Sequence, residues 1–275
     1  MDKDYYRFYQ EVGERYPEEE IVYNTLRGRL RKKFVLQHLD TWSGLLLDIG
    51  CNKGTYLTEY RGGTSFGVDI SSHVLYKAKE KCKGKNLPCN LIVGDAEQLS
   101  FLKDRSFDKI LCSELLEHVY NPEKVIADIS RLLKPNGTLL VTVPNYTRKR
   151  PEWIGLDSLK NYNIPGVKGD TYFHTAFKPH EVAEMVKKSG LRIIDYGSFE
   201  KEVRYATKIP VIFYYIFAFF NKILLRSEGF AQWNKNFLDR FSAVIYIVAR
   251  YLHLDSILKR FFREGARTFV VANKH

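Results

Sequence analysis

Three carboxylates recur just past short apolar runs: Asp48 in "LLLDIGCNKG", Asp69 in "GVDIS" and Asp95 in "GDAEQL". Asp69 stands 21 residues beyond Asp48, and an acid about 20 residues past a glycine-bearing loop can grip both hydroxyls of a ribose. Gly50 and Gly54 let that loop approach a ligand closely and turn sharply into a helix whose N–H groups face the site. Cys51 and Asn52 lie between them, and Ile70 and Ala96 follow the next two acids. A fourth run ends in "CSELLEHV", with Ser113, Glu114, Glu117 and His118. Acids at successive strand ends suit a nucleoside better than a bare phosphate. The dinucleotide pattern G-x-G-x-x-G is missing, as is the Gly-Lys-Ser/Thr of a P-loop. One D-x-G-x-x-x-G alone is a weak signal, since such acids also cap helices; four in order carry more.

His118 is a candidate general base, because imidazole exchanges a proton near neutral pH. The competing reading is a structural histidine at the start of a helix. If "ELLEH" is helical, Glu114, Glu117 and His118 share one face at i, i+3 and i+4. Two carboxylates and an imidazole could hold a divalent ion. His174, in "YFHTAF", is a later candidate, whereas His38, His73, His180 and His253 read as structural. Trp42, Trp153 and Trp233 read as packing residues ahead of an acceptor wall.

These residues need elements to position them. Strand patterns fall at 45–49, 65–68, 90–93, 107–112, 138–143 and 191–196, with helices expected over 54–60, 72–82, 122–133 and 179–189. Pro179 opens the last helix and Gly190 follows it, while "KPNG" is turn chemistry ahead of "TLLVTV". Such alternation implies a mostly parallel sheet with helices on both faces. Ligands bind such sheets outside the carboxyl ends of the strands, where the strand order reverses.

The chain of 275 residues has ordinary globular values, 45% hydrophobic and 27% charged, and no secretory signal at its start. Its four cysteines, Cys51, Cys82, Cys89 and Cys112, form no C-x-x-C pair, so reduced thiols and a cytoplasmic location are expected. The net charge of +11 is concentrated in residues 201–275, which hold 13 basic and 5 acidic side chains. That tail contains "IPVIFYYIFAFFNKILL" and then "FLDRFSAVIYIVARYLHLDSILKRFF". The unbroken apolar run, Ile209–Phe220, is 12 residues, short of the ~20 that span a bilayer. Extra core on the sheet, a membrane-interface pair and a dimer contact are the three readings of this segment.

From Leu45 to about Asn145 the chain resembles the class I S-adenosylmethionine-dependent methyltransferases, of the broad group containing the ubiquinone-biosynthesis O-methyltransferases. "LLLDIGCNKG", "GVDIS", "GDAEQLSF" and "FDKILCSELLEHV" are similar to that family's first four motifs. "RLLKPNGTLLVTVPN" is similar to the fifth-strand region, "FHTAFKPHEVAEMVKKSGLRII" to the sixth and "RTFVVANK" to the antiparallel seventh. The resemblance implies a Rossmann-like α/β fold with a mostly parallel seven-stranded sheet and a helical insertion before the last strand. It divides the chain into a helical cap (1–44), the cofactor domain (45–200), the apolar and basic insertion (201–265) and the last strand (266–275).

It also implies S-adenosylmethionine as cofactor. Asp48 and Gly50 would surround its methionine end, with Cys51, Asn52 and Gly54 in the same loop. Asp69 would bind the ribose, with Ile70 beside it. Asp95 and Ala96 would contact adenine, and Ser113 and Glu114 would line the methyl-bearing side. Asn52 stands where the family usually has glycine; asparagine is the residue after glycine that best tolerates positive φ. Relatives that methylate quinone precursors or RNA 3′ ends show a similar E-x-x-E-H and use a metal, but many metal-free relatives share it. The expected function is methyl transfer to a small hydrophobic or lipid-like acceptor, at an anionic membrane surface. RNA methylation is the alternative enzyme, and a non-catalytic cofactor-binding protein recruited to membranes is the alternative class. A homodimer is compatible with all three.

Overall fold

The computed structural model describes residues 3–156, 159 and 162–275. Helices α1 (Lys3–Arg15), α2 (Glu18–Val22) and α3 (Leu26–Leu39) precede strand β1 (Leu46–Ile49). Then come β2 (Ser65–Asp69), α4 (Ser72–Gly84), β3 (Asn90–Val93), β4 (Phe107–Ser113), α5 (Pro122–Leu132) and β5 (Leu133–Pro144). Two short strands follow, β6 (Trp153–Gly155) and β7 (Thr171–Phe173), and then α6 (Pro179–Lys188) and β8 (Arg192–Phe199). The chain ends with α7 (Lys201–Ala206), α8 (Lys208–Phe220), α9 (Glu228–Tyr251), α10 (Asp255–Arg260) and β9 (Arg267–Asn273).

Seven strands form one sheet in the order β3-β2-β1-β4-β5-β9-β8. The pairs β1–β2, β1–β4, β2–β3 and β4–β5 are parallel, and β9 runs antiparallel to β5. Leu47, Ile49, Ile110, Cys112, Leu139 and Val141 are fully buried, as strands covered on both faces require. Helix α5 adds Val125, Ile126, Ile129 and Leu132 to the same core. Pro122 begins that helix and the Asn121 side chain accepts from the Lys124 N–H at 3.0 Å, so its start is both preset and capped. This is the Rossmann-like sheet expected from the sequence, with its seventh strand antiparallel.

Several local expectations change. Residues 54–60 form turns rather than a helix, because Gly54 sits at φ +69° and the N–H bonds there mix three- and four-residue spans. The "KPNG" turn lies inside β5: Phe107 pairs with Leu133 and Lys109 with Thr138, so residues 134–137 bulge out. The β6–β7 hairpin had no legible strand pattern. Cys82, near the end of α4, and Cys89, just before β3, are joined as a disulfide with Cα atoms 6.1 Å apart, against the expectation of four reduced thiols. The turn between helix and strand brings them within bridging reach, which a spacing of seven residues does not reveal. Cys51 and Cys112 lie outside that bridge and are buried, and burial pushes the Cys112 thiol well up.

The chain divides into two compact units: residues 1–17, 35–197 and 267–275 form one, and 18–34 with 198–266 the other. The second has its own small core of Leu26, Tyr205, Ala206 and Ala249. Within it α8 continues as a π-helical turn through Asn221–Leu225, giving 18 residues of mean hydropathy 1.5 of which 6% are buried. By length and composition alone that helix could cross a membrane. The helix is longer than the 12-residue apolar run Ile209–Phe220, because Asn221 and Lys222 do not end it.

Candidate active site

Register decides what meets at the carboxyl edge of the sheet. Ile49 lies beside Val68 on one side and Cys112 on the other, and Val68 lies beside Ile92. The next residues along, Gly50, Asp69, Gly94–Asp95 and Ser113, therefore emerge together. The strand order reverses between β1 and β4, so the loops after these strands flank a crevice.

The first loop is built on left-handed backbone: Gly50 at φ +75°, Asn52 at +47° and Gly54 at +69°. A Cβ on Gly50 would lie 3.0 Å from Leu115 Cδ1. The Gly50 and Cys51 N–H groups both donate to the Val68 carbonyl, at 2.8 and 3.1 Å. Asn52 donates its N–H to Asp69 Oδ2 at 2.9 Å, and its side-chain oxygen accepts from the Lys53 N–H at 2.8 Å. The asparagine thus takes the conformation a glycine would, and its side chain braces the loop it distorts. The other oxygen of Asp69 accepts from the Ser71 N–H at 3.0 Å. Burial lifts the Asp69 carboxyl above its ordinary value, opposed by the N–H groups of Ser71, Asn52 and Ile70.

Asp48 is buried at the end of β1. The Cys51 side chain packs with Leu57 and Leu75, and its Sγ lies 3.8 Å from the Asn52 carbonyl of the loop. Asp95 Oδ1 accepts from the Glu97 N–H at 2.9 Å, and Ala96 packs into the core.

The segment after β4 is not the helix that would put Glu114, Glu117 and His118 on one face. Glu114 sits at φ +57°, the Glu114 N–H donates to the Thr142 carbonyl at 2.8 Å, and only a short turn covers residues 116–118. Ser113 Oγ and Thr142 Oγ1 are 2.8 Å apart. The Glu114 carboxylate pairs with the Arg267 guanidinium at 2.7 Å, with both side chains mostly buried. Glu114, Glu117 and His118 therefore do not share a helical face. Instead Glu117, His118 and His174 have donor atoms within 4.8 Å of one another. Burial pushes the His174 imidazole below its ordinary value, Arg267 adding to this and Glu114 opposing it. A carboxylate with two imidazoles is a donor set suited to a divalent transition metal.

Two elements invisible to motif reading complete the site. The hairpin of β6 and β7 delivers His174, whose N–H donates to the Glu152 carbonyl at 3.1 Å, and Thr175 then donates to the Glu117 carbonyl at 2.9 Å. Helix α1 approaches from the N-terminus. The Tyr9 hydroxyl is 3.0 Å from His118 Nδ1, and the Tyr5 hydroxyl donates to the His118 carbonyl at 3.0 Å. Gln10 donates to the Ile70 carbonyl at 2.7 Å and accepts from the Ser72 N–H at 3.2 Å. Phe8 packs with Leu156, Leu159 and Ile164, tying α1 to the hairpin segment. Tyr5, Phe8, Tyr9 and Val12 follow helical spacing, so a buried stripe was legible, but not what it covers. Beside the pair His118–His174, whose ring centroids are 4.8 Å apart, Tyr9 meets His118 at 5.8 Å and Tyr172 meets His174 at 6.1 Å; farther out Tyr5 meets Tyr120 at 5.1 Å, and Tyr120 meets Phe173 at 4.9 Å.

Comparison with known proteins agrees with this geometry. A family model described as "Methyltransferase domain" matches residues 47–141. The ubiquinone biosynthesis O-methyltransferase of Methylococcus capsulatus is 31% identical over 167 residues, covering 59% of this chain and 69% of that protein. The ubiquinone biosynthesis O-methyltransferase of Coxiella burnetii is 31% identical over 170 residues, covering 60% and 71%. Among solved structures, Haemonchus contortus phosphoethanolamine N-methyltransferase 2 superposes with a TM-score of 0.55 at 18% identity, covering 97% of this chain and 60% of that one. That likeness concerns the fold. The chain belongs to the class I S-adenosylmethionine-dependent methyltransferases.

Proposed function

We propose that this enzyme methylates a hydroxyl of a small hydrophobic or lipid-like acceptor, held beside His118 at a membrane surface. The observation that carries this reading is a chain of rings that starts with Tyr9 against His118 and runs through Tyr5 and Tyr120 to Phe173, a wall that would take an apolar ring and shed water. The names of the two curated relatives point the same way. The glycine-bearing loop and the acids at the edge of the sheet fit the cofactor: left-handed backbone at Gly50, Asn52 and Gly54 opens a close approach, and Asp69 offers acceptors to ribose hydroxyls. Bound there, S-adenosylmethionine would supply an electrophilic methyl group. The protein's own task is alignment and exclusion of water, plus removal of the acceptor proton. In the tautomer that donates Nδ1–H to the Tyr9 oxygen, 3.0 Å away, Nε2 is the basic nitrogen of His118 for this step.

The cluster of Glu117, His118 and His174 favours a second reading, metal-assisted methylation of RNA. There the three side chains would hold a cation that polarises the acceptor hydroxyl. One screen separates the readings: methyl transfer from labelled cofactor into lipid, small-molecule and RNA fractions, with and without a chelator. Label in a hydrophobic fraction, unchanged by chelation, is the expected result. Label in RNA alone, lost on chelation and restored by a divalent ion, favours the second reading and contradicts the first.

A further inference from the structure

The connection from β8 to β9 carries far more apolar surface than its own packing uses. In α8 the residues Ile209, Ile212, Ile216, Phe219 and Ile223 recur at helical spacing, and each is more than half exposed. The opposite side of α8 is fixed against α9. Phe217 meets Trp233 at 5.6 Å and Phe237 at 5.7 Å, and Phe213 meets Phe241 at 6.1 Å. The buried Asn234 donates from Nδ2 to the Tyr214 carbonyl at 2.9 Å, which pins the register of the pair. The stripe is thus presented by a preformed hairpin rather than by a loose segment.

Charge says what covers it. Residues 203–227 contain no acid, whereas Arg204, Lys208, Lys222 and Arg226 bracket the apolar run. Long basic side chains at the ends of such a run reach lipid phosphates while their stems lie on acyl chains. An exposed apolar stripe framed by cations is matched by an anionic lipid surface.

Topology then fixes the mode. Strands β8 and β9 are neighbours in one sheet, so the connection must return to the side it left. Crossing the bilayer would need two spanning arms. The second arm, α9, carries Lys235, Asp239 and Arg240 in its interior, and such charges oppose burial in hydrocarbon. We infer that α8 lies in the plane of an anionic membrane interface, with Ile212, Ile216 and Phe219 inserted, and that the α8–α9 hairpin is a monotopic anchor. The inference deepens the proposed lipid-like acceptor and rests on that reading for its purpose.

The test is co-sedimentation of the full chain with vesicles, without cofactor or acceptor. The vesicles are phosphatidylcholine alone, or equal parts phosphatidylcholine and phosphatidylglycerol. We expect binding to the mixed vesicles, weakened but not abolished by high salt. Ile216→Glu should lower that affinity by about tenfold, the scale of one lost apolar insertion, with an unchanged melting curve. Lys222→Glu with Arg226→Glu should weaken it mainly at low salt. Absence of binding to mixed vesicles, equal binding to both compositions, or wild-type affinity in Ile216→Glu would each overturn the anchor. So would a stable dimer in solution that dissociates in Ile216→Glu while vesicle binding is lacking, since the stripe would then serve a second copy. Methyl transfer to a detergent-solubilised acceptor is read separately. Transfer without vesicle binding removes the anchor alone; vesicle binding without label in any hydrophobic acceptor removes the acceptor reading and leaves the anchor.

Discussion

Asp69 accepts backbone N–H groups on both carboxylate oxygens, from Asn52 and Ser71, and a third from Ile70. A carboxylate offers about four acceptor positions, so one is left for a ligand hydroxyl. Asp69→Ala should therefore weaken S-adenosylmethionine binding by about tenfold or more, matching the ~1.5–3 kcal/mol of hydrogen bonds to a charged group. Titration calorimetry checks this, and unchanged affinity would contradict the ribose assignment. Tyr9 acts on the reaction through His118. Tyr9→Phe keeps the ring against His118 and removes the hydroxyl, so kcat should fall by about three- to tenfold while cofactor affinity holds. The acid limb of the pH–rate profile should move as well, which a merely structural role would not cause. At this scale the acids were legible because strand ends mark them, and Asn52 proved to be the glycine substitute its letter suggested. Tyr9 and Gln10 were not legible, since their partners lie about 60 to 110 positions away. The helix that would have put Glu114 on one face with Glu117 and His118 does not form, because Thr142 and Arg267 hold Glu114 in left-handed backbone.

Elements were readable wherever a local period or a cap spoke. Helix α5 opens at Pro122 and α6 at Pro179, both at the expected places. Where neither a period nor a cap spoke, the local pattern was silent or wrong, as with the turns of 54–60, the β6–β7 hairpin and the Cys82–Cys89 bridge. The start of β1 shows how long-range contacts act. Burial raises the Asp108 carboxyl, but the Leu45 N–H at 2.8 Å and the Lys134 ammonium at 2.9 Å outweigh it, with Lys109 nearby, and the group is held below its ordinary value. A carboxyl depressed in the folded state stabilises it above the unfolded value of about 3.9, and that stability is lost as pH falls through the folded value. Thermal melts should therefore fall more steeply below about pH 4 in the wild type than in Asp108→Asn. Parallel curves would contradict this account of the β1–β4 join.

At the scale of the whole molecule, a Rossmann-like sheet carries the cofactor loop, while α1 and the β6–β7 hairpin bring an aromatic and imidazole wall to the edge of that sheet. The fold was legible in the order of its motifs, since alternating strands and helices permit few topologies. The aromatic and imidazole wall was not, because it is assembled from three distant stretches of chain. The account therefore turns on whether His118 serves the transfer rather than the cofactor. The direct measurement compares His118→Ala with the wild type for S-adenosylmethionine affinity and for labelled methyl entering a hydrophobic acceptor, side by side. We expect cofactor affinity within about twofold and transfer reduced by about a hundredfold or more, the scale of a lost general base. Transfer at the wild-type rate, or cofactor affinity lost in step with transfer, would contradict the role given to His118.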